Sequence, residues 1–264
     1  MLQLPKIVFA VGMLASLNGM AQKEESSFDQ LNSSDGWNLV FKDKSTKDWT
    51  KNWTLDGLFA TVSNSKNGMY FSAGPAFKND AHHAVMWTKE SFSGDIKIEY
   101  DFTRTDKETS CVNILYIQAT GDEEGPYVKD ISTWSKMREV PAMKTYFQNM
   151  NALHISYAAF ENAASDTSFY VRARRYPKPN DKPFDVTKIA PSYDNQGYFV
   201  SGQTYHITAI KSGNQLFFEM ESKDGEELFT WDLSNVEPIK EGRIGLRHMY
   251  TRSSIYKNFK IFTK

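Results

Sequence analysis

The sequence predicts an all-β protein, one antiparallel β-sandwich of jelly-roll type. Three observations carry this. Short stretches with apolar residues at every second position recur along most of the chain, the pattern of half-buried strands. Turn dipeptides such as Ser93-Gly94, Gly213-Asn214 and Asp224-Gly225 separate them. Aromatic residues make up 14% of the chain, a bias that suits strands. No internal repeat is visible, so the strands read as one sandwich rather than an array.

Residues 1–21 read as a secretory signal peptide. Lys6 supplies the positive start, Ile7 to Leu17 is apolar, and Gly19-Met20-Ala21 precedes a polar stretch, which puts the cut after Ala21. The apolar run is too short for a comfortable membrane span. The expected location is the periplasm or beyond, with no membrane insertion. Residues 22–35 are polar and read as a loose lead-in, and 36–264 as the single domain.

Within that domain Leu39-Val-Phe41 is the first strand. Trp53 to Val62 reads as a short hairpin turning at Asp56-Gly57. Ala84–Trp87, Asp95–Thr103 and Cys111–Thr120 follow as strands. Residues 130–150 are the one helical excursion, with Ile131, Trp134, Met137 and Val140 on one face and Pro141 as a breaker. Strands resume at Leu153–Phe160 and Phe169–Arg175. A Pro-rich stretch from Tyr176 reads as irregular to Gly202. Thr204–Lys211, Gln215–Ser222, Glu227–Leu233, Arg243–Tyr250 and Ser254–Phe262 close the chain, with the first and last strands expected side by side.

The net charge is -1, which gives no global attraction to nucleic acid. The single cysteine, Cys111, excludes an internal disulfide and any cysteine-rich zinc site. There is no Gly-rich phosphate loop, no Gly-x-Ser-x-Gly elbow and no His-Glu-x-x-His. His82-His83 is a poor metal pair, because neighbours on a strand point to opposite faces. Glu99 and Asp101 share a strand face and resemble the start of a glucanase carboxylate set. The third carboxylate is missing, since Thr103 or Arg104 stands there.

The unusual content lies in four strands that carry Arg, His, Tyr, Asn and Gln. Arg172 and Arg174 share one face, whereas Arg175 takes the other. Such a pair needs either an internal carboxylate or a bound anion between its members. Asn113, Tyr116, Gln118, His83 and Arg247 are further candidates for holding a hydroxyl-rich anionic ligand. His154, Tyr157, His248 and Tyr250 are the candidates for moving protons, with His154 the first choice as base and Tyr250 or Tyr157 as acid. These residue types suit β-elimination from a uronic acid, in which the carboxylate must be neutralised while a proton leaves the adjacent carbon.

The stretches His83-Ala-Val-Met-Trp-Thr-Lys89, Gly94-Asp-Ile-Lys-Ile-Glu-Tyr-Asp101, Cys111 to Gly121, Val140-Pro-Ala-Met143, His154-Ile-Ser-Tyr-Ala-Ala-Phe160, Arg172-Ala-Arg-Arg-Tyr176 and Gly242 to Arg252 resemble the YesU-like family. That bacterial family has long been labelled as of unknown function. The resemblance spans about Trp37 to Phe262 and implies a concanavalin-A-like sandwich. It also implies an association with the breakdown of acidic polysaccharides, and lyase or dehydratase activity that leaves an unsaturated uronate.

The expectation is therefore an exported carbon–oxygen lyase or dehydratase acting on uronate-containing oligosaccharides, sulfated ones included. Two alternatives remain: a glycoside hydrolase, or a non-catalytic carbohydrate-binding module. The chemistry requires no cofactor and no catalytic metal. A structural Ca2+ stays open, because such sandwiches often hold one.

Overall fold

The computed structural model of the chain describes residues 22–161, 168–194 and 197–264. The expected signal peptide lies outside the described residues. Residues 22–33 form a helix, α1, where the polar composition suggested a loose lead-in. Within that unit the Trp37 indole donates to the Leu31 carbonyl at 2.7 Å.

Residues 38–264 form a separate compact unit, built of two eight-stranded antiparallel sheets. The first sheet runs in the order β14 (Gly225–Asp232), β13 (Gln215–Ser222), β12 (Thr204–Ser212), β7 (Ile96–Arg104), β16 (Ser253–Thr263), β4 (Gly68–Ser72) and β3 (Thr61–Ser65), with β1 (Asn38–Asp43) also on β16. The second runs β11 (Lys188–Asp194), β10 (Phe169–Tyr176), β9 (Met150–Phe160), β8 (Asn113–Gly121), β15 (Glu241–Met249), β5 (His83–Thr88) and β2 (Trp53–Asp56), with β6 (Phe92–Ser93) on β15. This is the jelly-roll sandwich that the alternation predicted, with the first strand paired to the last.

The alternation explains the core. Ile98, Tyr100 and Phe102 of β7 point inward and meet Leu115, Ile117, Leu153, Ile155, Ile244 and Leu246 of the second sheet. The other parity of the second sheet (Val85, Trp87, Ile114, Tyr116 and Ala152) forms a second apolar cluster on its outer face. The long excursion after β8 covers it. That excursion contains a 3-10 helix, Ile131–Arg138, and one α-helix, α2 (Met143–Asn149), separated at Pro141 as expected.

One carboxylate fastens the excursion to the sheet. Asp56 Oδ2 accepts from Trp87 Nε1 at 2.7 Å, Arg138 Nε at 2.6 Å and Tyr146 Oη at 2.9 Å. Arg138 and Asp56 are both buried, so the pair is satisfied inside the protein. This overturns the hairpin expected at Asp56-Gly57: β2 pairs with β5 and β3 with β4, so the connection crosses between the sheets. Gly57 permits the crossing, with φ of 152° and its position for a Cβ only 2.9 Å from Ala84 Cβ. The stretch expected to be irregular also contains a strand, β11. It is an edge strand, where Pro191 interrupts no inner ladder.

Candidate active site

A cavity of about 480 Å³ opens on the outer face of the second sheet. The strands deliver side chains of one parity to it: His83 from β5, His154 and Ser156 from β9, and Tyr170, Arg172 and Arg174 from β10. Tyr250 enters from the turn after β15. Met143, Lys144 and Phe147 of α2 form one wall, and Phe184, Asp185 and Lys188 another. Five of the residues singled out from sequence thus converge here: His83, His154, Arg172, Arg174 and Tyr250.

The two arginines are held differently. Arg172 donates to Ser192 Oγ at 2.7 Å, Glu161 Oε1 at 3.2 Å and Asp194 Oδ1 at 3.0 Å, and its guanidinium lies 4.0 Å from the Tyr170 ring. Its charge is compensated internally. Arg174 donates to Thr187 Oγ1 at 2.9 Å and stacks on Phe184 at 4.2 Å. Its ion pair with Asp185 is 3.8 Å long, and that exposed carboxylate also serves Lys188 at 3.0 Å. Arg174 therefore retains more capacity for an external anion.

The two cavity histidines, His154 and His83, are held neutral. His154 is buried among cations, and burial, then Arg174, Arg247 and Arg172, hold its pKa well below the usual value. Its Nδ1 lies 2.7 Å from Tyr176 Oη and its Nε2 2.6 Å from Ser156 Oγ. Both ring nitrogens are thus engaged, and His154 and Ser156 line the cavity side by side. His83 has its pKa pushed down to about 2 by burial and by Arg247. Arg247 Nη2 lies 2.6 Å from His83 Nδ1. An arginine has only donors, so Nδ1 accepts and the hydrogen of His83 sits on Nε2. The Tyr250 ring packs 4.3 Å from that of His83. Burial and the Asp80 carboxylate raise the Tyr250 pKa.

Arg247 itself is fully buried beneath the cavity. It also donates to the Pro141 carbonyl at 2.6 Å and lies 4.4 Å from the Tyr146 ring. No carboxylate among the described residues forms an ion pair with it. Its link to the cavity is the contact with His83.

The remaining candidates go elsewhere, three of them for reasons of strand parity. Asn113, Tyr157 and His248 point between the sheets. Tyr157 Oη lies 3.3 Å from Tyr256 Oη, and His248 Nε2 lies 2.9 Å from the same hydroxyl. Asn113 is fully buried at the registers facing Tyr157 and His248. These three are core groups, not ligand contacts. Tyr116 has the right parity but is covered by the stacked rings of Trp87 and Tyr146. Gln118 sits at a register break with φ of 52°, and its amide donates to the carbonyls of Phe92 and Gly94. It does not share the cavity.

Glu99 and Asp101 lie on the outer face of the first sheet. Glu99 pairs with Lys260 at 2.9 Å, and Asp101 with His206 at 2.8 Å. His82 stacks on Phe59 rather than joining His83 at a metal. Among the described residues no group of three or more His, Cys, Asp or Glu could hold a metal ion. No helix there is long and apolar enough to cross a membrane. Ser156 and Tyr176 were missed in the sequence. Their signal was parity: Ser156 is two residues from His154, and Tyr176 two from Arg174.

With this geometry established, comparison with known proteins gives the family. The profile described as "Domain of unknown function (DUF1961)" matches residues 38–261. The chain belongs to this family. It is similar to the uncharacterized protein YesU of Bacillus subtilis (strain 168), with 23% identity over 223 residues, 82% of this chain and 91% of that one. Among solved structures it resembles a Bacillus subtilis protein of unknown function with a galectin-like fold (TM-score 0.58, 19% identity, 87% of this chain and 100% of that one). The Ca2+/Man3GlcNAc-bound exoplasmic/lumenal domain of VIP36 also matches (TM-score 0.53, 10% identity, 85% and 91%). A legume lectin-like domain from Entamoeba histolytica does so at a TM-score of 0.51 and 10% identity, over 85% and 97%. At these identities the likeness establishes the galectin- and lectin-like fold of this family member.

Proposed function

We propose that this family member binds an acidic oligosaccharide in the outer-face cavity and acts on it as a carbon–oxygen lyase or dehydratase, leaving an unsaturated uronate. One observation carries the reading: Arg172, Arg174, Ser156, His83 and Tyr250 meet at a single cavity. This lining is rich in hydrogen-bond donors and suits a ligand rich in acceptors. The glycan in the VIP36 structure supports a carbohydrate as the ligand class.

Elimination needs the carboxylate neutralised, a proton taken from the adjacent carbon, and the leaving oxygen protonated as the C–O bond breaks and the double bond forms. Arg174, with Arg172, neutralises the carboxylate and so stabilises the charge that develops on it. Tyr250 takes the proton as phenolate and returns it as phenol to the leaving oxygen. His83 Nε2–H, beside it, donates a hydrogen bond to that oxygen. His154, with both nitrogens engaged, serves as a positioning group beside Ser156. No step calls on a cofactor. The signal-like residues 1–21 support an exported, periplasmic or secreted enzyme.

The test is incubation with saturated uronate oligosaccharides, sulfated and unsulfated, while following the ultraviolet absorbance of the conjugated product. Absorbance that grows with time and vanishes in Tyr250→Phe supports the reading. Binding without absorbance assigns the cavity to a carbohydrate-binding module. Hydrolysis products without absorbance refute elimination.

A further inference from the structure

We propose that Tyr176, His154 and Ser156 form a hydrogen-bond chain polarised toward the cavity, so that Ser156 presents a hydroxyl hydrogen to the ligand. Ser156 thereby selects an acceptor oxygen beside the arginines. The inference rests on the cavity being the ligand site described above, and it adds a specificity-determining contact there.

The argument is one of counting hydrogens. Tyr176 is fully buried, and its hydroxyl has a single partner among the described residues, His154 Nδ1 at 2.7 Å. His154 is neutral and carries one ring hydrogen. If that hydrogen sat on Nδ1, Tyr176 Oη would accept it and its own hydrogen would be left buried without an acceptor. A buried orphan of this kind loses its bond to water with nothing in return. With the hydrogen on Nε2, every buried group is satisfied. Tyr176 donates to Nδ1, Nε2 donates to Ser156 Oγ at 2.6 Å, and the only hydrogen left over is that of Ser156. It belongs to the one member of the chain that lines the cavity with an unused donor.

The cross-strand register places this donor usefully. Ser156 pairs with Arg172, and His154 with Arg174, across β9 and β10. A ligand oxygen held by Ser156 therefore lies next to the guanidinium pair, as a carboxylate or a sulfate oxygen would. A ligand N–H or O–H at that point could use only the second lone pair of Ser156 Oγ and would leave the serine hydrogen without an acceptor. The chain also accounts for a histidine buried beside three arginines: its role is to fix the serine rotor, which on its own would be free to turn.

The test is nitrogen-15 NMR of the imidazole side chains in the full chain without ligand. Its five histidines are assigned with single His→Gln variants. The expected result is a neutral His154 with hydrogen on Nε2. Hydrogen on Nδ1, or an imidazolium at neutral pH, overturns the proposal. Tyr176→Phe should move His154 toward a mixture of tautomers and weaken a saturated uronate oligosaccharide, although Tyr176 touches no ligand. Ser156→Ala should keep the tautomer and lower the affinity about tenfold, the worth of one hydrogen bond to a charged group. An Ser156→Ala affinity equal to wild type overturns the contact. A wild-type chain that binds no uronate refutes the acidic-oligosaccharide reading and removes the assigned contact with it. The tautomer result still decides whether the chain is polarised.

Discussion

Replacing Asp56 by alanine should nearly unfold the domain, and the structure gives the size of the effect. The Asp56 carboxylate is buried and holds Arg138 Nε at 2.6 Å, with side-chain exposures of 3% and 2%. Removing one partner of a buried pair leaves an uncompensated charge, at about 3–5 kcal/mol. The indole of Trp87 and the hydroxyl of Tyr146 lose their acceptor as well, and each orphaned donor adds about 1–3 kcal/mol. Relaxation of the excursion lets Arg138 and Tyr146 reach water, so the terms do not add in full, and about 5 kcal/mol is the expected total. Domains are stable by only about 5–15 kcal/mol. The assay is urea unfolding followed by tryptophan fluorescence, with hydrogen exchange over residues 131–149 to show whether the excursion detaches first. The double variant Asp56→Ala/Arg138→Leu should recover part of the loss, because it removes the stranded charge. A cost for Asp56→Ala below about 1 kcal/mol, the range of an ordinary surface pair, would refute the reasoning.

Arg174→Ala should weaken an acidic oligosaccharide by about 10- to 100-fold in calorimetry, the worth of a charge-assisted hydrogen bond. Arg172→Ala should cost less affinity, since Glu161 and Asp194 already compensate it. If elimination is measured, kcat/KM should climb with pH on the alkaline side, because the Tyr250 pKa is raised and the base is the phenolate. A profile flat from neutrality to pH 10 would argue against Tyr250. The hydrogen bond that His206 Nδ1 donates to the Asp101 carboxylate raises the His206 pKa above 6.5 and lowers that of Asp101 below 3.8. The stability from this pair is therefore whole between those values. It fades as pH rises through the folded value of His206 and as pH falls through that of Asp101. The melting difference between wild type and His206→Gln should follow that window. Gly242→Ala should destabilise by about 2–5 kcal/mol in urea, because its Cβ would lie 2.3 Å from the Gln118 carbonyl carbon at a φ of 146°.

The sandwich was legible because its signal is local. Ile98, Tyr100 and Phe102 announce a half-buried strand without reference to any partner, and the same parity separated Arg175 from Arg172 and Arg174. Parity says that two side chains share a face. It does not say which face looks into the core. Tyr157 and His248 were candidates by residue type, but their face is the interior, where they pack against Tyr100 of β7 and Tyr256 of β16 in the other sheet. Parity also fails where the backbone leaves the extended region. Gln118 at φ 52° and Tyr250 at φ 54° break the count, so Gln118 turns away from Tyr116 and Tyr250 turns away from His248. Asp56 looked like a turn residue because Asp-Gly is a common turn. Its three partners lie 31, 82 and 90 residues away, a separation no local pattern records. Ser156 carried no special signal by type. Its meaning comes from His154 two residues before it and Tyr176 on the next strand.

The uncompensated guanidinium of Arg247 has a consequence for association in salt. Charges on the rim of a cavity are surrounded by mobile counter-ions and fade beyond about 8–10 Å at moderate ionic strength. Arg247 is sealed from solvent under His83, Pro141 and the Tyr146 ring, so no counter-ion reaches it. An anion settling over it is drawn by a field that added salt weakens little. Diffusional capture by Lys144 and Lys188 at the mouth should slow as salt rises, while the lifetime of the bound complex should change far less.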